Sequence, residues 1–293
     1  MKIHRVIGMS ILIAGAGMQS ASARENFRAV ATAAEIADQP SFRAAIARED
    51  PNAMFALGEM FDEGVGIDSD PQRAFGWYTR AALRGHAEAM NRLGILYAEG
   101  RGVTQDYVAA LAWYERAMTS GSLTAASNVA TLYFHGLGVP QSYPVAAKLL
   151  LTVARAGNAD AQNKLGAMYN EGLGVTQDHQ QARELFRRAA EQGYPPAMVN
   201  LGRMYTEAID VKRNDVRGYA LIRAALEMGL PSSMDKVAFY ELGEATARLR
   251  PKQLARAEAL ASRLSAPSSA PAGPNAPAAH SSSAARGAGK VSG

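Results

Sequence analysis

From Ala87 to Glu99 the chain reads AEAMNRLGILYAE, and its small or apolar residues Ala89, Leu93 and Tyr97 fall four positions apart, on one face of a helix. A second stretch places Ala110, Trp113, Tyr114 and Ala117 together at helical spacing. Between them stand the paired glycines of EGRGVTQD, residues 99 to 106. The pattern predicts two amphipathic helices joined by a turn. Neither can bury its apolar face alone.

The same phrase recurs. LYAEGRGVTQD occupies residues 96 to 106 and MYNEGLGVTQD residues 168 to 178, 72 positions later. Half that spacing organises the chain: Leu57-Gly58, Leu93-Gly94, Leu165-Gly166 and Leu201-Gly202 lie on one 36-residue grid, with Val129-Ala130 at the remaining place. Ala53, Ala89, Ala125, Ala161 and Ala197 form a second column, and Phe61, Tyr97, Tyr133, Tyr169 and Tyr205 a third. A fourth, Gly85, Gly121, Gly157, Gly193 and Gly229, closes the second helices. Five units therefore run from about Asp50 to Leu230 without an insertion. The paired glycines suit a turn with positive φ. Asp70, Asp106, Asp178 and Asn214 stand where a side chain caps the next helix. A glycine beside the column leucine costs about 1 kcal/mol against alanine in mid-helix, so its recurrence predicts a close helix crossing.

The pattern A-x-x-x-L-G-x-x-Y-x-x-G-x-G-V-x-x-D, followed by A-x-x-W-Y-x-x-A and a closing glycine, resembles the Sel1-like repeat, a relative of the tetratricopeptide repeat. Units two and four lie near the consensus. Unit three carries Val129-Ala130, and unit five carries Ala208 and Asp210 in place of the paired glycines. The resemblance implies an all-α protein, an α-solenoid of five 36-residue helix-turn-helix repeats over residues 50–230 with helical caps at 24–49 and 231–264. The segment 250–264, with Pro251 at a helix start, resembles the helix that seals such arrays.

Related arrays line a concave face with their first helices. Carried over, the resemblance points to a groove built from Phe55, Asn91, Ser127, Asn163 and Val199 in one row, Glu59, Ile95, Thr131, Ala167 and Arg203 in the next, and Asp62, Ala98, Phe134, Asn170 and Thr206 in a third. Phe55, Asn91, Ile95, Phe134, Asn163, Asn170 and Arg203 are the candidate protein-binding residues, apolar anchors among hydrogen-bonding neighbours. The aromatic columns, with Trp77 and Trp113, read as core. The acidic column Glu63, Glu99, Glu171 and Glu207, interrupted by His135, is either a solvated turn or a rim that steers a basic partner.

The ends differ from the body. Residues 1–23 carry Lys2 and Arg5, an apolar run from Val6 to Met18 and the triplet Ala21, Ser22, Ala23, the plan of a secretory signal peptide. The run is short of the ~20 residues that a spanning helix needs. From Ser265 the chain is rich in Ser, Ala and Pro and poor in large apolar residues, which predicts a disordered tail. No cysteine occurs, so disulfides, thiolate zinc sites and a cysteine nucleophile are excluded. Lys2, Arg5, Arg286 and Lys290 account for the formal net charge of +4, leaving residues 24–264 neutral, a poor surface for nucleic acid.

Candidate chemistry is sparse. Gly100-Arg-Gly102 lacks the third glycine of a dinucleotide loop and the lysine of a P-loop. The histidines His86, His135 and His179 show no metal-ligand spacing. Ser233-Met-Asp-Lys236 matches the serine-lysine pair of penicillin-binding enzymes, and some Sel1-like proteins have been associated with β-lactams, but the S-D-N and K-T-G partners are absent. The expectation is a non-enzymatic periplasmic scaffold, adaptor or regulator of a Gram-negative bacterium, without cofactor or metal. It binds a protein or peptide, not nucleic acid, and inserts in no membrane after signal cleavage. The rival expectations are an immunity protein against a secreted toxic enzyme, and a β-lactamase or cell-wall hydrolase.

Overall fold

The computed structural model describes residues 40–65 and 68–266. The signal peptide, most of the N-terminal cap segment and, after Ser265 and Ala266, the tail expected from the sequence lie outside the described residues, and Ser265 itself ends a helix. Within them are thirteen α-helices and no strand. A short α1 (Pro40–Ala47) precedes five hairpins: α2 (Pro51–Glu63) with α3 (Pro71–Leu83), α4 (Ala87–Glu99) with α5 (Tyr107–Thr119), and α6 (Leu123–His135) with α7 (Tyr143–Arg155). Then come α8 (Ala159–Glu171) with α9 (His179–Glu191) and α10 (Pro195–Glu207) with α11 (Asp215–Met228). The chain closes with α12 (Ser232–Arg248) and α13 (Pro251–Ser265). Each repeat helix packs on its hairpin mate, and each second helix also on the first helix that follows, so the core is a continuous seam.

The glycine beside each column leucine lies where the two helices of a hairpin cross. A Cβ built on Gly58 would stand 2.5 Å from Cδ1 of Tyr78, on Gly94 2.5 Å from Cδ1 of Tyr114, and on Gly166 2.8 Å from Cε1 of Phe186. The third hairpin carries Ala130, and its second helix answers with Leu150, smaller than the rings at the matching places. The fifth hairpin keeps Gly202, whose Cβ would stand 2.7 Å from Cγ1 of Ile222, so a glycine there does not require a ring opposite.

The turn phrase is explained residue by residue. Gly100 ends α4 with φ 68°, and its N–H bonds to the Leu96 carbonyl. Gly102, also at φ 68°, comes so near the backbone of Pro71 and Gln72 that a side chain would strike the first turn of α3, so the loop rests on the preceding hairpin. Gln105 Nε2 donates to the Ala98 carbonyl at 2.8 Å, and Asp106 Oδ1 accepts from Val108 N and Ala109 N at 2.9 and 3.0 Å. Asp70, Asp178 and Asn214 cap α3, α9 and α11 in the same way. In the fifth hairpin Ala208 (φ 60°) and Asp210 (φ 50°) are forced into the left-handed region that glycine occupies elsewhere. Ala208→Gly is therefore expected to stabilise the protein by about 0.5 to 1 kcal/mol, read from denaturant midpoints.

The aromatic columns divide. Phe61 is buried, but Tyr97, Tyr133, Tyr169 and Tyr205 are only half-buried. Trp77 and Trp113, expected as core, are half-buried too, with the guanidinium groups of Arg80 and Arg116 over their rings at 4.5 and 4.8 Å. The fully buried second-helix ring is the next residue along, Tyr78 or Tyr114, because that position meets the glycine.

Candidate functional site

The first helices α4, α6, α8 and α10 are held on two sides, by their own second helix and by that of the preceding hairpin, whereas α2 has its own second helix and the short α1. The buried arc is therefore wide, and every exposed position of these helices except Leu123 falls on one stripe that also takes in half-buried residues. Its positions recur at the spacing i, i+4, i+7, i+11: Asn52, Ala56, Glu59 and Glu63 in α2, then Glu88, Arg92, Ile95 and Glu99 in α4. Thr124, Asn128, Thr131 and His135 continue it in α6, and Asp160, Lys164, Ala167 and Glu171 in α8. Asn200, Arg203 and Glu207 carry it along α10, where Pro196 is buried.

This corrects the first groove row, apart from the half-buried Asn163, and Thr206 of the third. Phe55 is buried, stacked on His86 at 4.4 Å and tilted against Tyr78 at 5.6 Å. Burial pushes the His86 imidazole down, which suits its Nδ1 accepting the Ala89 N–H that caps α4. Asn91 is 1% exposed, and Ser127, Val199 and Thr206 are buried as well. Phe134 is half-buried, edge-on to Tyr143 at 5.1 Å. Asn170 turns toward its own loop, where its side-chain oxygen meets His179 Nδ1 at 3.0 Å. These positions sit one step around the helix from the stripe, in the contacts within and between hairpins. The middle row, with Ile95 and Arg203, does lie on the stripe.

The asparagines link hairpins. Asn128 Nδ2 donates to Asn91 Oδ1 at 2.9 Å and Asn200 Nδ2 to Asn163 Oδ1 at 2.8 Å, so Asn163 supports the neighbour that faces outward. Arg92 bridges to Glu59 of the preceding hairpin at 3.3 Å. The stripe is acidic: Glu59, Glu63, Glu88, Glu99, Asp160, Glu171 and Glu207 stand against Arg92, Lys164 and Arg203. Four of these carboxylates, Glu63, Glu99, Glu171 and Glu207, occupy the last residue of their helix, where the helix dipole disfavours negative charge by about 0.3 to 1 kcal/mol each.

At the far end the stripe meets the cap. Glu241 of α12 is buried, accepts from Thr206 Oγ1 at 3.1 Å, and lies 3.7 Å from Arg203 Nε. Burial, then a hydrogen bond with Glu207, raises its pKa above the usual 4.5 despite Arg203. A raised acid is better protonated in the folded state, so its contribution is complete below the unfolded value and declines as pH rises through the folded one. Glu241→Gln is expected to melt a few degrees higher than the parent at neutral pH and to match it near pH 4, checked by melts across that range. Ser233 and Lys236 lie exposed on α12.

Stacked helical hairpins with capped turns and a polar outer stripe define an α-solenoid of the helical-repeat class. The Sel1 repeat pattern matches residues 51–86, 87–122, 123–158, 159–194 and 195–230, and the chain belongs to the Sel1 repeat family. Members of this family mediate protein–protein interactions. A protective antigen of uropathogenic Escherichia coli with this fold is 30% identical, with a TM-score of 0.69 over 76% of this chain. The match covers 47% of that antigen, so this chain spans about half its length. A Sel1 repeat protein from Oxalobacter formigenes is 25% identical, with a TM-score of 0.64, over 78% of this chain and 91% of the other. The immunity protein Pa5087 from Pseudomonas aeruginosa is 20% identical at a TM-score of 0.42, over 71% and 74%. That last likeness bears on no functional question. No curated protein matches the chain.

Proposed function

We propose that this chain is an exported, non-enzymatic scaffold that binds a basic surface of another protein along the stripe of its first helices, in the periplasm. The observation that carries the reading is the row Glu63, Glu99, Glu171 and Glu207. Carboxylates at helix C-termini weaken the helices that carry them. Their recurrence along one line of a body with no net charge supports a role in recognition, since a line of like charge steers an opposite partner and speeds encounter. Ile95, Thr131 and Ala167 run between the acids and offer less polar contact in the middle of the line. The charged start, apolar run and small-residue triplet of residues 1–23 support export, and no helix among the described residues is long and apolar enough to cross a membrane.

The test is capture of a partner from periplasmic extract on the immobilised protein at increasing salt. Recovery is expected to fall steeply as ionic strength rises, because exposed charges are screened beyond a Debye length of ~10 Å at 0.1 M. Recovery indifferent to salt would overturn the acidic stripe as the recognition surface.

A further inference from the structure

The end of the array departs from the repeats in a way that exposes a helix face. Pro231 and Pro251 stand one 36-residue period after Pro195 and Asp215, so α12 and α13 keep the grid of a sixth hairpin. They do not form one. The helix α12 runs 17 residues against 13 in the first helices of the repeats, and only Leu249 and Arg250 join it to α13. With so short a link and no glycine turn, α13 cannot fold back on α12 as the other second helices do. It packs instead along α11, with Ala257 by Tyr219, Ala261 by Ile222, and Ser265 Oγ donating to Glu227 Oε2 at 2.8 Å.

Ala238, in the column of the crossing glycines, is buried with α11 and α13, but the face of α12 that in the repeats packs on the preceding hairpin's second helix is left open. Tyr240 stands in the column of Met60, Leu96, Leu132, Met168 and Met204, each 5% exposed or less, yet Tyr240 is 67% exposed. Val237, in the buried leucine column, is 41% exposed, and Phe239 beside them 62%. Gly243 lies one turn after Tyr240 with nothing within 4 Å of the place its Cβ would take. The glycines at the hairpin crossings, Gly58, Gly94, Gly166 and Gly202, each meet a close neighbour. Gly76 also faces open space, but among exposed polar residues of α3, whereas Gly243 adjoins two exposed aromatic rings.

We propose that this face binds the same face of a second copy, two α12 helices crossing antiparallel about a two-fold axis at Tyr240. That axis matches every residue with the one equally far on the other side of Tyr240. It sets Lys236 against the second copy's Glu244, and Val237 against the second copy's Gly243, with each pair occurring twice. Charge and size are both complementary to themselves in this register. Lys236 has no ion-pair partner among the described residues, and Glu244, paired with Arg248 at 3.1 Å, is still exposed. The open glycine gives the Val237 side chain of the other copy a place to enter, as the crossing glycines do for Tyr78 and Tyr114. One helix pair buries less than the ~1,200 Å² of a standard interface, so the dimer is of the weak class, with a Kd in the range of tens to hundreds of micromolar.

Sedimentation equilibrium of the purified protein over that concentration range, at low salt, tests the proposal. The parent is expected to shift from monomer to dimer and no further. Tyr240→Glu, which places two like charges on the axis, is expected to weaken dimerisation at least about tenfold. Lys236→Glu is expected to weaken it about fivefold, and Lys236→Glu with Glu244→Lys to restore it, since the swapped pair is again complementary. Melting temperatures equal to the parent's show that the variants are folded, as their exposure requires. A parent that stays monomeric throughout, a dimer indifferent to Tyr240→Glu, or a charge swap that fails to restore association would each overturn the proposal.

Discussion

Gly94→Leu is expected to destabilise the protein by about 3 kcal/mol, at the upper end of what overpacking costs. The reason is local. A Cβ alone would stand 2.4 Å from Cε1 of the Tyr114 ring, and that ring is buried. Replacing a mid-helix glycine normally gains about 1 kcal/mol of propensity, so any loss measures the crossing itself. The third hairpin supplies the control, because there Ala130 faces Leu150 and the crossing is made without a ring. Gly94→Ala with Tyr114→Leu imports that pair. Each single change is expected to cost 1 kcal/mol or more, the first by clash and the second by cavity, and the double variant to fall short of their sum by about 1 to 2 kcal/mol. Denaturant melts of the four proteins close the cycle. Strict additivity would mean that the two residues do not share a packing constraint.

Glu99→Lys with Glu171→Lys is expected to separate stability from recognition. Both carboxylates end their helices, at the negative pole of the dipole, so lysine there should leave the melting temperature unchanged or raise it slightly. Binding to a basic partner should fall at least about tenfold, with most of the change in the association rate, because reversed rim charges repel at encounter. Glu99 also pairs with Arg101 at 3.2 Å, a contact exposed enough that its loss should cost well under ~1 kcal/mol. Kinetic binding measurements on parent and variant, beside thermal melts, check both halves. A variant that binds normally would reduce the acidic row to a solvated turn.

Most of the fold was legible from residues 50 to 230, because the same constraints are written five times. The Asp and Asn caps, the positive-φ glycines and the crossing glycines each stand at one place in the unit, so tertiary context could not disguise them. The stripe was less legible. Column spacing located the centre of the buried face at Ala89, Leu93 and Tyr97 but not its width. Two neighbouring helices grip each first helix, so positions one step from the centre, such as Phe55, Asn91 and Thr206, are buried too. Composition carried a signal for this: the row holding Phe55 and Val199 mixes apolar groups with amides, as an interface between hairpins requires. The row holding Glu59 and Arg203, and the one holding Glu63, Glu99 and Glu171, are far more charged. Nor did the sequence reveal that α13 would pack on α11, since both caps keep the repeat period. The departure lies in a link of two residues where the repeats use seven.

Site-specific photo-cross-linking is the direct test of the first-helix stripe as the place of binding. A photoreactive residue placed in turn at Ile95, Thr131 and Ala167, half-buried on the stripe, and at Leu83 and Val108, exposed on second helices, samples both faces of the array. Irradiation in periplasmic extract, followed by separation of the adducts by mass, is expected to give one and the same adduct from the three stripe positions and none from Leu83 or Val108. Adducts confined to Leu83 and Val108 would contradict it and put recognition on the second helices.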